Sequence, residues 1–208
     1  RYGSSNILLN MLSTNRVKKI KPLIIILLFL PSFYWIYLLL IGNLGVNPIE
    51  KLMDNLGEMA LRLIILTLLI SSLSDLKFFR SLVTLRRIIG LFAFYYVCLH
   101  FSTYIFLDHF FNFQFIIKDI IKRPFITFGF ISFLCLIPMA ITSFDGMIKK
   151  LGFNLWKKIH YLIYPAAILS SLHFFMLVRA NKTEPLIYIG IIILLLSYRF
   201  YKKIFTRR

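Results

Sequence analysis

The sequence predicts an all-α integral membrane protein of six transmembrane helices, with both termini cytoplasmic. Three observations lead there. Of 208 residues, 59% are hydrophobic and mean hydropathy is +0.80, above the roughly 45–50% apolar share of soluble domains. The apolar residues fall into six runs near the length that crosses a bilayer, about 20 residues as helix. The basic residues behind the formal charge of +17 sit almost entirely outside those runs. A nucleic-acid-binding role is excluded, because the basic residues do not gather on a polar domain. Only 8 residues are Asp or Glu, few for a carboxylate-based active site. Cys98 and Cys135 both sit in apolar runs, so no disulfide framework or CxxC site is available.

The run 22–49 carries no charge, and its first 20 or so residues form span 1. Span 2 is expected at 56–74, with Glu58 and Arg62 in its first turns. Span 3 covers 88–107 and contains one ionisable side chain, His100. Span 4 covers 124–144 and contains none. Span 5 covers 159–178 and contains His160 and His173. Span 6 covers 185–200, the shortest of the set, with Arg199 placed to snorkel outward.

Orientation follows from the loops. Of 25 Lys and Arg residues, 18 fall on one side: five before span 1, four at 77–87, four at 149–158 and five from Arg199 onward. The other side holds Lys51, Lys118, Lys122, Arg123, Arg179 and Lys182. The positive-inside rule makes the richer side cytoplasmic, and an even number of spans returns the chain to it. The expected domains are a basic cytoplasmic segment 1–21, a transmembrane domain 22–203 and a basic tail 204–208. Met11 heads a run, MLSTNRVKKIKP, that reads as a natural start before an uncleaved first helix, so residues 1–10 are set aside. No internal repeat is visible, and the loops leave no room for a second folded domain.

Ionisable groups inside spans are costly and mark functional candidates. His109, beside Asp108 at the outer end of span 3, reads as an ordinary interfacial residue. His100 lies about 18 Å up span 3 and His173 about 21 Å up span 5 at 1.5 Å per residue. Two imidazoles at one depth on separate helices suit the two faces of a b-type haem iron. His160 sits 13 residues before His173, about 19.5 Å of rise, at the spacing of a second, inner haem. On an ideal helix the two histidines point about 140° apart, and Pro165 between them can bend the helix enough to change that. The matching inner level of span 3 is Arg86, 14 residues before His100 and about 40° from its face. Arg86 suits the distal side of an inner haem, or its propionates. A membrane histidine also serves simply to bond a neighbouring helix. Matched depth weighs against that for His100 and His173, less so for His160, and a cytoplasmic anchoring role competes for Arg86.

Other features read as structural. Glu58 and Arg62 have i,i+4 ion-pair spacing. Trp35, Trp156 and the tyrosines near span ends form an aromatic belt. The cluster FAFYY at 92–96 packs against helices or a porphyrin, and the two cysteines are packing residues.

Five segments carry a resemblance: NLGVNPIEKLMDNLG at 43–57, LRRIIGLFAFYYVCLH at 85–100, KRPFITFG at 122–129, LGFNLWKKIHYLIY at 151–164 and EPLIYIG at 184–190. In order and spacing the chain resembles the MsrQ (YedZ) family of haem-bearing membrane subunits, within the ferric-reductase-like transmembrane group, over about residues 20–203. The basic pair before His100 and the LG-x3-W-x3-H run are the most specific parts. Related ferric reductases and NADPH oxidases carry paired histidines on spans 3 and 5. Here Arg86 stands where the inner span 3 histidine would fall, a departure expected in MsrQ-like proteins that leaves ligation of the inner haem open.

The resemblance implies a role. Electrons would cross the bacterial inner membrane to an MsrP-type periplasmic molybdopterin reductase that repairs methionine sulfoxide. It also implies FMN beside haem b, and electrons from the quinone pool or a cytoplasmic flavin reductase. The residues themselves show no GxGxxG after a strand and no soluble domain for a dinucleotide, so electrons must arrive from, and leave to, something else, and no catalytic residue is expected. Two rivals stand beside this reading. One is a haem-free transporter or assembly partner, although the inverted repeats common in transporters are not apparent. The other is a metal-reducing ferric reductase.

Overall fold

The computed structural model describes residues 14–74, 76–144 and 146–205. The reading of residues 1–10, the start at Met11 and the last three residues of the tail lie outside the described residues. Six helices are long and apolar enough to cross a membrane: Lys19–Leu40, Pro48–Leu73, Val83–Asp108, Pro124–Ile141, Phe153–Leu177 and Thr183–Phe205. They are called spans 1 to 6 in chain order. No strand occurs among the described residues. The chain is a multi-pass membrane protein.

Several spans outrun their apolar runs, because a helix that has left the hydrocarbon keeps its backbone bonded more cheaply than a loop does. Span 1 belongs to a helix, Thr14–Leu40, that accommodates Pro22 and Pro31. Span 2 starts at Pro48, in the first helical turn where a missing N–H is harmless. Span 6, expected at about 15 residues of hydrocarbon length, is the helix Thr183–Phe205 of 23 residues.

Span 2 is the centre of the bundle, with Leu56, Ala60, Leu61, Leu63, Ile64 and Leu68 all buried. Spans 2 and 3 form one tightly packed hairpin and spans 4 and 5 another. Within the second, the buried Ser132 hydroxyl donates to the Ala166 carbonyl at 2.9 Å. The 92–96 aromatic cluster packs on span 1, where Phe29 meets Phe92 and Tyr95 edge-on at 4.7 and 5.2 Å. Tyr96, fully buried, donates to the Leu28 carbonyl at 2.7 Å.

Span 5 is interrupted. Phe153–His160 and Ile163–Leu177 are separate helices, joined by tight bonds from Leu162 N–H to the Ile159 carbonyl and Tyr164 N–H to the Tyr161 carbonyl. The break lies four residues before Pro165, whose ring would strike the Tyr161 carbonyl of a straight helix.

Two ends differ from expectation, and a third goes beyond it. Arg199 does not snorkel outward. It turns into the bundle and donates to Ser72 Oγ at 3.1 Å, the Leu68 carbonyl at 2.9 Å and Tyr164 OH at 3.3 Å, joining spans 6, 2 and 5. Glu58 and Arg62 do pair, at 2.8 Å, and Arg62 continues to Glu184 and Tyr188 of span 6. The connection between spans 3 and 4 contains a helix, Phe113–Lys122, capped by the Asn112 side chain. Span 3 runs into it through a wide π turn, Tyr104–Asp108, and through Phe110 and Phe111 at positive φ.

Candidate functional site

The face at which span 1 begins and span 6 ends carries most of the Lys and Arg residues and is here termed the basic face. A cavity of about 630 Å³ runs inward from the opposite face between the two hairpins, and His100 and His173 both line it. Their ring centres are 6.2 Å apart and their planes cross at 81°.

Each ring is anchored on the facing helix of its own hairpin. His100 Nδ1–H donates to the Met53 carbonyl on span 2 at 2.8 Å. His173 Nδ1–H donates to the Phe125 carbonyl on span 4 at 2.6 Å. A carbonyl can only accept, so both rings hold their proton on Nδ1 and Nε2 is the lone-pair nitrogen. Beneath each ring is a glycine. An added Cβ would sit 3.0 Å from His100 Nδ1 at Gly57 and 3.0 Å from His173 Nδ1 at Gly129.

The donor set fits a metal held between two imidazoles. Metal–imidazole bonds of about 2.0–2.1 Å on either side put ring centres roughly 6 Å apart. Ligating histidines characteristically give their other N–H to a carbonyl. No group of three His, Cys, Asp or Glu side chains able to hold a bare ion occurs among the described residues. Two imidazole nitrogens beside a large, mostly apolar cavity would therefore suit an iron already held by a macrocycle.

A second cavity, of about 520 Å³, contains Arg86, Trp156 and His160 among its lining residues. Arg86 and His160 are thus brought together, as their levels in the sequence suggest. The break before Pro165 frees His160 from the azimuth a straight helix would impose. His160 is mounted differently from the other two, however. Its Nδ1 bonds the Trp156 carbonyl of its own helix at 3.0 Å, and its ring stacks on Trp156 at 4.0 Å. Trp156 is itself tied down by its indole N–H, which donates to the Thr142 carbonyl at 3.0 Å.

His109, read from sequence as an ordinary interfacial residue, is folded back into the wall of the larger cavity. Its Nε2 lies 3.5 Å from Asp108 and 3.7 Å from Asp119, and its ring sits edge-on to Tyr104 at 4.5 Å. The π turn and the Phe113–Lys122 helix place it there, and its immediate neighbours in sequence carried no sign of either. Six of the eight acidic residues line this cavity (Glu50, Asp54, Glu58, Asp108, Asp119 and Glu184), so its mouth is acidic although the chain is strongly basic.

The family model described as ferric reductase like transmembrane component matches residues 56–171, more than half of the chain. A curated relative from Herminiimonas arsenicoxydans is 43% identical over 183 residues, 86% of this chain and 84% of the relative. Relatives from Rhodospirillum rubrum (44% over 167 residues, 80% of each chain) and Caulobacter vibrioides (42% over 158 residues, 76% and 75%) are similar. All three are named protein-methionine-sulfoxide reductase heme-binding subunit MsrQ. The chain belongs to the MsrQ family. The segment matching the ferric reductase model runs from span 2 into span 5 and contains Gly57, Arg86, His100, Gly129 and His160. The likeness to MsrQ relatives is the broader one, covering about four-fifths of the chain.

Proposed function

We propose that this chain is the haem-binding membrane subunit of a methionine-sulfoxide reductase system and relays electrons from its basic, cytoplasmic face to the opposite, periplasmic face of a bacterial inner membrane. The observation that carries this reading is the His100–His173 pair, two lone-pair Nε2 atoms on separate helices beside one large cavity. When bound, haem b supplies one-electron redox chemistry. The protein's part is to hold both rings in one tautomer through the Met53 and Phe125 carbonyls and to exclude water with apolar walls. His160 and Arg86 are the proposed residues for a second haem near the basic face, the histidine as ligand and the guanidinium as partner of a propionate or of the open side.

The finer assignments rest on the family: FMN as a further cofactor, the quinone pool or a cytoplasmic flavin reductase as donor, and an MsrP-type molybdopterin reductase as acceptor. The distribution of charge agrees with a relay between two different partners, since one face is basic and the other opens on an acidic mouth.

The reading is tested with reduced, haem-loaded protein in liposomes. Addition of the MsrP-type reductase with methionine sulfoxide should reoxidise the chain, and ferric iron alone should not replace them. Reoxidation by ferric iron but not by the reductase would instead make the chain a ferric reductase.

A further inference from the structure

The two hairpins repeat one arrangement that the sequence does not advertise. In spans 2 and 3, a carbonyl at Met53, a glycine four residues later at Gly57 and an imidazole at His100 come together. In spans 4 and 5 the same three groups are Phe125, Gly129 and His173. In each case the helix that runs inward from the mouth face supplies carbonyl and glycine, and the helix that runs back supplies the histidine. The offset between the two sets is 72 residues for the first helix and 73 for the second. Around the six residues the side chains differ, so the repeat is invisible to composition or motif.

The physical logic is the same in both. Within a helix, the carbonyl of residue i already accepts from the N–H of residue i+4. A flat ring that comes in over residue i+4 to donate a second bond to that carbonyl meets the Cβ that normally stands there. At Gly57 such an atom would lie 3.0 Å from Nδ1 and 3.1 Å from Cε1 of His100, and at Gly129 3.0 and 3.2 Å from the same atoms of His173. Both glycines have ordinary helical φ, so backbone conformation does not require them. They stand where the rings need the space. His160 has no such slot, since its Nδ1 bonds its own helix.

We propose that Gly57 and Gly129 are paired positioning residues, each opening a slot through which an imidazole reaches the Met53 or Phe125 carbonyl and so presents Nε2 to the cavity at a fixed angle. The proposal rests on the haem reading above and adds to it the residues that set ligand geometry and basicity. A strong Nδ1–H···O=C bond makes the ligating nitrogen more electron-rich, which favours ferric over ferrous iron.

The test uses the purified full-length, haem-loaded protein and the variants Gly57→Ala, Gly129→Ala and Gly190→Ala. Alanine favours helix over glycine, and Gly190 has open space around its Cβ position. Gly190→Ala should match the wild type. Each slot variant should keep its helix content, bind haem about 10–100-fold more weakly and show a higher midpoint potential. A second arm removes the ring itself. In His100→Gly, added imidazole should restore the spectrum of a doubly imidazole-ligated haem, and 1-methylimidazole, which has no N–H to donate, should need at least about tenfold more ligand. Slot variants with wild-type affinity and potential, or equal rescue by the two imidazoles, would overturn this proposal and leave the haem reading standing. A wild-type chain that takes up no haem would overturn both.

Discussion

His100 and His173 face each other across one cavity with ring centres 6.2 Å apart, although 73 residues separate them in the chain. Neither ring is held by its own helix. Each is fixed by a carbonyl on the helix it packs against, Met53 for one and Phe125 for the other. The pair is thus assembled by tertiary structure and is sensitive to how the two hairpins meet.

Removal of one ring should therefore remove one site. His173→Ala is expected to abolish the absorbance of the haem nearer the opposite face and to spare any haem nearer the basic face. A redox titration of the variant in detergent separates the two, and a full wild-type signal would dismiss the assignment.

Arg86 and His160 share the second cavity. Arg86→Ala should shift or lose only the component nearer the basic face, leaving the His100–His173 component at its wild-type potential. An unchanged titration would assign Arg86 to membrane anchoring.

Pro165 tests the geometry of span 5. Pro165→Ala allows Phe153–Leu177 to straighten, and a continuous helix would set His160 about 140° from His173. Loss of the component nearer the basic face is expected, with the other retained. Equal spectra would show that the break between His160 and Ile163 does not depend on the proline.

Arg62 joins spans 2 and 6 through Glu58, Glu184 and Tyr188. The group is half-exposed, so Arg62→Ala should cost only about 1 kcal/mol and lower the melting temperature by a few degrees. Spectra at low temperature should be unaffected. A change in haem signal without a change in melting would point to a role in the cavity.

Much of this fold was legible in the sequence because bilayer physics acts on composition. Six apolar runs give six spans, and an intramembrane histidine stands out against leucine and phenylalanine. The level of His100 with His173, and of Arg86 with His160, follows from helix rise alone. Pro165 signalled the break in span 5. What could not be read depends on contacts between distant segments. Arg199 looked like a terminal anchor, because nothing near it in sequence announces Ser72 or Tyr164. The helix Phe113–Lys122 lies in a stretch too short and too mixed to be read as a span, and with it went the inward position of His109. Gly57 and Gly129 look like any helical glycine until the rings above them are in place.

The central claim is that His100 and His173 hold a haem between them. The most direct measurement is a reduced-minus-oxidised absorbance spectrum of protein purified from haem-supplied cells, with haem counted per polypeptide, for the wild type beside His173→Ala. The expected result is a b-type spectrum at about two haems per wild-type chain and one fewer in the variant. A wild-type chain without haem, or a variant with the wild-type count, would contradict it.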